Sequence, residues 1–127
     1  MPRILLVEDD LALREATAEL LTWAGYTVET AEHGADALVW LRHTRPGVIV
    51  TDLQMPVMDG VALLRACASD PALADIPIVV TSGTPMDLTT SAAPPPFAVL
   101  RKPDHIDQLL PTLARALDAP RAVTALQ

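Results

Sequence analysis

The chain has 127 residues, half of them hydrophobic and only 3% aromatic, so its core must be built from Leu, Val, Ile and Ala around Trp23, Tyr26, Trp40 and Phe97. Sixteen acids against nine bases give a net charge of −7, which opposes attraction to phosphate backbones and anionic lipid, while the scarcity of aromatics removes the stacking platforms that single-stranded nucleic acid needs. One cysteine, Cys67, excludes an internal disulfide and a Cys-rich zinc site, and the acidic break in MPRILLVEDD excludes a signal peptide or membrane span there, so the expectation is one cytoplasmic domain without nucleic-acid or membrane partners.

The first strand is predicted at Ile4–Val7, followed by a helix from about Leu11 to Ala24 that Asp9 or Asp10 caps and Gly25 stops. Its Leu13, Ala16, Leu20, Leu21 and Ala24 recur at helical spacing on one face. Tyr26–Thr30 alternates apolar and polar residues, the pattern of a half-exposed edge strand, and Gly34–Arg42 reads as the second helix. Val48–Thr51 is the third strand; its helix runs from Gly60 to Ser69 with Asp59 as N-cap, and Ile78–Thr81 is the fourth strand. Between residues 83 and 96, four prolines restrict a helix to about Met86–Ala92, so the fourth helix is expected to be short or irregular. Ala98–Leu100 is the fifth strand. The last helix carries Ile106, Leu109, Leu110, Leu113, Ala114 and Leu117 on one face, and Pro111 should bend or interrupt it. Alternating β-branched runs and helical stretches argue for a single α/β domain of five βα units, flavodoxin-like, with a parallel sheet in the order 2-1-3-4-5 and helices on both faces.

In such a sheet, ligands bind beyond the carboxyl ends of the strands, at the crevice where the strand order reverses. Strand one ends in Glu8-Asp9-Asp10, strand three in Asp52, strand four in Ser82 and strand five in Lys102, the only lysine. Clustered carboxylates repel one another, and a hard divalent cation with oxygen ligands resolves the repulsion; Mg²⁺, which keeps several waters, suits a sparse acidic pocket. An ammonium and a small hydroxyl beside it suit a phosphoryl group, and an Asp carboxylate is the nucleophile of such chemistry. Asp10 most simply caps a helix, Cys67 belongs to the core, and His33, His43 and His105, which lack metal-ligand spacing, are expected in solvent.

ILLVEDD at strand one, TDLQMPVMDG after strand three, PIVVTSG at strand four and RKP at strand five together resemble the response-regulator receiver domains of two-component phosphorelay signalling. The resemblance spans residues 3 to 118 and implies a receiver domain at 1–119 with a tail at 120–127. It implies that Asp52 accepts a phosphoryl group from a histidine kinase or histidine phosphotransfer protein, that Glu8, Asp9, Asp52 and the backbone carbonyl of Gln54 hold Mg²⁺, that Ser82 is the switch hydroxyl and that Lys102 contacts the phosphoryl group. Gln54 and Thr84 sit where the family tunes water access, and the Lys102-Pro103 bond is often cis in this family. The domain would be no enzyme beyond its own phosphorylation and dephosphorylation, its downstream target would be a protein, and homodimerisation is compatible with the resemblance. Two positions depart from the pattern: Val99 stands where an aromatic residue usually couples to the switch hydroxyl, and Asp104 where Phe is common. The missing aromatic and the proline-rich connection at 83–96 keep open a phosphorylation-independent interaction module with a vestigial pocket. A phosphohydrolase lacks its second Asp, since Gln54 stands two residues after Asp52.

Overall fold

Three apolar runs, RILLV, VIVTD and IVVTS, are buried at nearly every position, as parallel strands covered by helices on both faces must be. In the computed structural model, which describes residues 2–53, 55, 57–83, 96–102 and 105–118, the elements follow as β1 (Arg3–Val7), α1 (Leu11–Trp23), β2 (Thr27–Ala31), α2 (Gly34–Leu41), β3 (Val48–Asp52), α3 (Gly60–Ser69), β4 (Ile78–Ser82), β5 (Ala98–Arg101) and α4 (His105–Asp118). All five strands are parallel in the order β2-β1-β3-β4-β5, the flavodoxin-like arrangement the sequence predicts. β2, mostly exposed, lies at one edge, as its alternation predicts.

Alternation along the strands divides the core in two. Leu5, Val7, Ile49, Ile78 and Val80 pack with Ala37 and Leu41 of α2 and with Leu63, Leu64 and Cys67 of α3. Ile4, Leu6, Val48, Val50, Val79 and Leu100 point to the opposite face, against Leu21 of α1 and Leu109, Leu113 and Ala116 of α4. Each Leu, Ile or Val removed from water this way is worth about 1.5–3 kcal/mol.

The helices begin where polar side chains replace missing carbonyl partners. Asp10 accepts from Leu13 N–H at 3.0 Å and Asp59 from Ala62 N–H at 2.9 Å. His33 caps α2, its Nδ1 accepting from Asp36 N–H at 3.2 Å, so this histidine has a structural task where the sequence suggests only solvent. At the end of α1, Gly25 takes φ 104°, and the N–H groups of Gly25 and Tyr26 donate back to Thr22 and Leu21. That left-handed stop is cheap only for glycine.

Two helix faces are rotated from expectation. On α1 the buried residues are Thr17 and Leu21, while Ala16 and Ala24 are exposed. On α4 they are His105, Leu109, Thr112, Leu113 and Ala116, with Ile106 and Ala114 at the surface. In both, polar residues reach the polar rim of the sheet that hydrophobic periodicity ignores. His105 is therefore only 6% exposed, against the solvated position expected for it. Pro111 does not interrupt α4: the helix continues through it to Asp118, because the proline lies on the exposed side while Leu109, Leu113 and Ala116 anchor the opposite one. Expectations for the helix within 86–92, Gln54, Thr84, the Lys102-Pro103 bond, Asp104 and the tail at 120–127 lie outside the described residues.

Gly60 fixes how closely α3 approaches β3. A Cβ there would lie 2.7 Å from the Asp52 carbonyl oxygen and 2.9 Å from Leu53 Cα, backbone atoms that cannot swing aside. Gly60→Ala is expected to cost about 3 kcal/mol, the upper range of overpacking, in denaturant or thermal unfolding. Gly83→Ala is the control: its nearest neighbour would be Lys102 Cδ at 4.0 Å, and the melting temperature should stay close to that of wild type.

Candidate functional site

Parallel strands that end together bring residues distant in sequence to one rim. Val7 pairs with Thr51 and Asp52 with Thr81, so the turn after β1 and the end of β3 are neighbours although more than forty residues separate Glu8 from Asp52. Carboxylate oxygens of Glu8, Asp9 and Asp52 lie within 4.8 Å of one another. Glu8 and Asp52 are buried, Asp9 exposed.

Lys102 reaches into this cluster from the end of β5. Its Nζ donates to Asp52 Oδ2 at 3.1 Å and lies 3.4 Å from Glu8 Oε1. Its backbone N–H donates to the Ser82 carbonyl at 2.8 Å, so pairing of β5 with β4 sets where the ammonium can reach. Glu8 is held further by Asp10 N–H, which donates to Oε2 at 3.3 Å, and by its own N–H on the Ala31 carbonyl. Ser82 is buried at the end of β4, one strand from Asp52. The structure thus brings together Glu8, Asp9, Asp52 and Lys102; Gln54 lies outside the described residues.

Two backbone hydrogen bonds hold described residues between β3 and α3. Gly60 N–H donates to the Leu53 carbonyl, and Gly34 N–H to the Met58 carbonyl at 3.0 Å, tying the loop to the start of α2. Within it, Val57 sits at φ 67°, a conformation a β-branched residue holds at a cost of about 1–3 kcal/mol.

Sequence reasoning missed three polar residues around the site. Arg14 on α1 donates from Nη1 to the Glu8 carbonyl at 2.8 Å. Thr17 and His105 line a small cavity beneath the acids, together with Glu8, Asp52 and Thr81. The available signal was spacing: Asp10, Arg14, Thr17 and Leu21 succeed one another at three- and four-residue steps, one face of a helix.

Electrostatics follow from burial. Loss of water raises the Glu8 carboxyl above its ordinary range; the hydrogen bond from Asp10 and the charge of Lys102 oppose this, and the charge of Asp52 adds to it. Burial alone would pull the Lys102 ammonium down, but the hydrogen bond and charge of Asp52, then the charge of Glu8, outweigh it and hold the group above its usual value. Three close carboxyl oxygens and a carboxylate whose ionisation is opposed by burial fit a divalent cation, whose charge would relieve both.

A raised Glu8 carboxyl stabilises the fold fully below the ordinary carboxylate range, and this contribution is lost as pH rises through the raised value. At neutral pH the ionised side chain is therefore a cost. Glu8→Gln should raise the melting temperature by a few degrees at pH 7 in EDTA, with the advantage vanishing towards pH 4, where both proteins are neutral at this position. Adding Mg²⁺ should favour wild type and reverse the order.

The chain matches the family model of the response regulator receiver domain over residues 4–114. It is 45% identical over 83 residues to a protein-glutamate methylesterase/protein-glutamine glutaminase 1 of Anaeromyxobacter dehalogenans, covering 65% of this chain and 23% of that protein. The curated relatives are longer proteins: the chain spans 10% of a gliding motility regulatory protein of Myxococcus xanthus and 33% of the response regulator MprA of a Mycobacterium. Among solved structures it is similar to the receiver domain of a signal transduction histidine kinase from Syntrophus aciditrophicus, with TM-score 0.85 and 31% identity over 92% of this chain and 90% of that one. The response regulator TrrA of Thermotoga maritima, solved in complex with Mg²⁺-BeF, superposes with TM-score 0.78 at 26% identity over 91% of this chain and 99% of that one. No helix among the described residues is long and apolar enough to cross a membrane.

Proposed function

The chain belongs to the response regulator receiver domain family, and from that premise we propose that it is a phosphoacceptor which takes a phosphoryl group on Asp52 from a histidine kinase or histidine phosphotransfer protein and thereby switches its affinity for a partner protein. The observation that carries this reading is Lys102 Nζ at 3.1 Å from Asp52 inside a cluster of three carboxylates, a set that gives a phosphoryl group both a nucleophile and a counter-charge. Residues 1–119 form the receiver domain in this reading and 120–127 its tail.

An Asp52 carboxylate oxygen attacks phosphorus in the donor; the bond from phosphorus to the donor imidazole breaks, the imidazole leaves and takes up a proton, and Asp52 is left as an acyl phosphate. Glu8, Asp9 and Asp52, with the Gln54 carbonyl, would hold Mg²⁺, which when bound supplies positive charge opposite the phosphoryl oxygens. Lys102 offers its ammonium to a phosphoryl oxygen, and Ser82, buried at the end of the next strand, offers its hydroxyl to another. Movement of the Ser82 hydroxyl toward the phosphoryl group then distinguishes the phosphorylated state. A coupling of about 1–3 kcal/mol between states would change partner affinity roughly 5–150-fold.

Intact mass after incubation with acetyl phosphate, with Mg²⁺ or with EDTA, tests the reading. A Mg²⁺-dependent phosphoryl adduct that maps to the peptide containing Asp52 is the expected result. No adduct under any condition would favour a phosphorylation-independent interaction module, in keeping with Val99, which is 45% exposed on β5 at the position where the family usually carries an aromatic residue.

A further inference from the structure

We propose that Arg14 is a positioning residue for the metal-binding limb of the site: by holding the Glu8 carbonyl it fixes the Glu8–Asp9 peptide, and with it the place of the Asp9 carboxylate, for a divalent cation. The inference rests on the phosphoacceptor reading and deepens it. Arg14 lies on the first turns of α1 with its side chain only 12% exposed, and its Nη1 donates to the Glu8 carbonyl at 2.8 Å. Every other polar group of Glu8 is already assigned: N–H to the Ala31 carbonyl, Oε2 to Asp10 N–H, Oε1 facing Lys102.

Asp9 differs. Its side chain is exposed, and no hydrogen bond among the described residues fixes its carboxylate. Where the carboxylate goes depends on the backbone that carries it. A trans peptide is planar, so the Glu8 carbonyl and the Asp9 N–H move as one plate, and anchoring the carbonyl removes the rocking of that plate which would swing Asp9 away from Glu8 and Asp52. The guanidinium is suited to this because it donates from a rigid fork. Its second arm, Nη2, lies 3.8 Å from Glu32 Oε1, a carboxylate 69% exposed, and such a pair contributes little. The carbonyl contact is therefore the one that matters.

Calorimetric titration with Mg²⁺ alone tests this on wild type, Arg14→Met, Arg14→Lys and Glu32→Gln, at a temperature where circular dichroism shows each protein folded. Met keeps the aliphatic stem and loses the donor. Arg14→Met is expected to weaken Mg²⁺ binding about tenfold, equivalent to about 1.4 kcal/mol, whereas Arg14→Lys, which can still donate to the carbonyl, recovers most of the loss and Glu32→Gln leaves the affinity unchanged. A merely structural arginine would lower the melting temperature in EDTA without moving the Mg²⁺ affinity of the folded protein. Wild-type affinity in Arg14→Met, or an equal loss in Glu32→Gln, overturns the assignment. Where Arg14→Met does not fold, Arg14→Gln, whose shorter amide does not reach the Glu8 carbonyl, decides: a loss of about tenfold sustains the assignment, and wild-type affinity overturns it. Failure of wild type itself to bind Mg²⁺ would overturn the phosphoacceptor reading and this inference with it.

Discussion

Asp52→Asn is expected to take up no phosphoryl group from acetyl phosphate at any Mg²⁺ concentration, as read by intact mass against wild type. The amide nearly matches the carboxylate in shape and can still accept from Lys102 Nζ, which lies 3.1 Å from Oδ2 in wild type, so the pocket need not rearrange. What is lost is the anionic oxygen that attacks phosphorus. The fold should survive, because losing the attraction between Asp52 and Lys102 is offset by relief of the repulsion between Asp52 and Glu8. A melting temperature near that of wild type in EDTA would show that the missing adduct is a chemical loss. An adduct of unchanged stoichiometry in Asp52→Asn would remove Asp52 as the acceptor and leave Glu8 and Asp9 as the carboxylates to test.

Lys102→Met should move two measurements in opposite directions. The ammonium sits on Asp52 and beside Glu8, two of the three carboxylates a cation would use, and it repels that cation. Removing it should tighten Mg²⁺ binding about tenfold in a calorimetric titration, since a unit charge a few ångströms from a divalent ion is worth at least ~1 kcal/mol even when strongly screened. Phosphorylation by acetyl phosphate at saturating Mg²⁺ should nevertheless slow by about 10²-fold, the scale of losing one group that stabilises developing charge. Stability supplies a third reading. A lysine held above its ordinary value contributes stability that is fully present below that value and lost only as pH rises through the raised one, so at pH 7 the contribution is complete. In EDTA, Lys102→Met should be less stable than wild type at pH 7, and the deficit should shrink towards pH 4 as the Glu8 carboxyl takes up a proton. Weaker Mg²⁺ binding in this variant would mean that the lysine organises the carboxylates instead of competing for them.

The strands were legible because two local patterns coincide in them. Ile4–Val7, Val48–Thr51 and Ile78–Thr81 are short, β-branched and apolar on both faces, and each gains only one residue at an end in the structure. The caps at Asp10 and Asp59 and the stop at Gly25 were legible for the same reason, since the groups they satisfy lie within four residues. Helix faces were less so. Counting only apolar residues turned α1 and α4 towards Ala16 and Ala114, both exposed, and away from Thr17, His105 and Thr112, which are buried. Hydrophobic periodicity measures attraction to an apolar core, whereas Thr17 and His105 line a cavity with Glu8, Asp52 and Thr81.

By itself the sequence determined the alternation of strands and helices, and the acids, hydroxyl and lysine that terminate four of the strands; both follow from local chemistry and from the rule that parallel strands end on a common rim. Only the tertiary structure decided how those groups meet. Lys102 lies 94 residues from Glu8 and 50 from Asp52, and its reach depends on β5 pairing with β4 in one register. The hold of Arg14 on the Glu8 carbonyl, the burial that raises the Glu8 carboxyl and the withdrawal of His105 from solvent likewise arise from packing α1 and α4 on one face of the sheet. Such contacts are set by the angle and depth at which helices dock, and no periodicity along the chain records either.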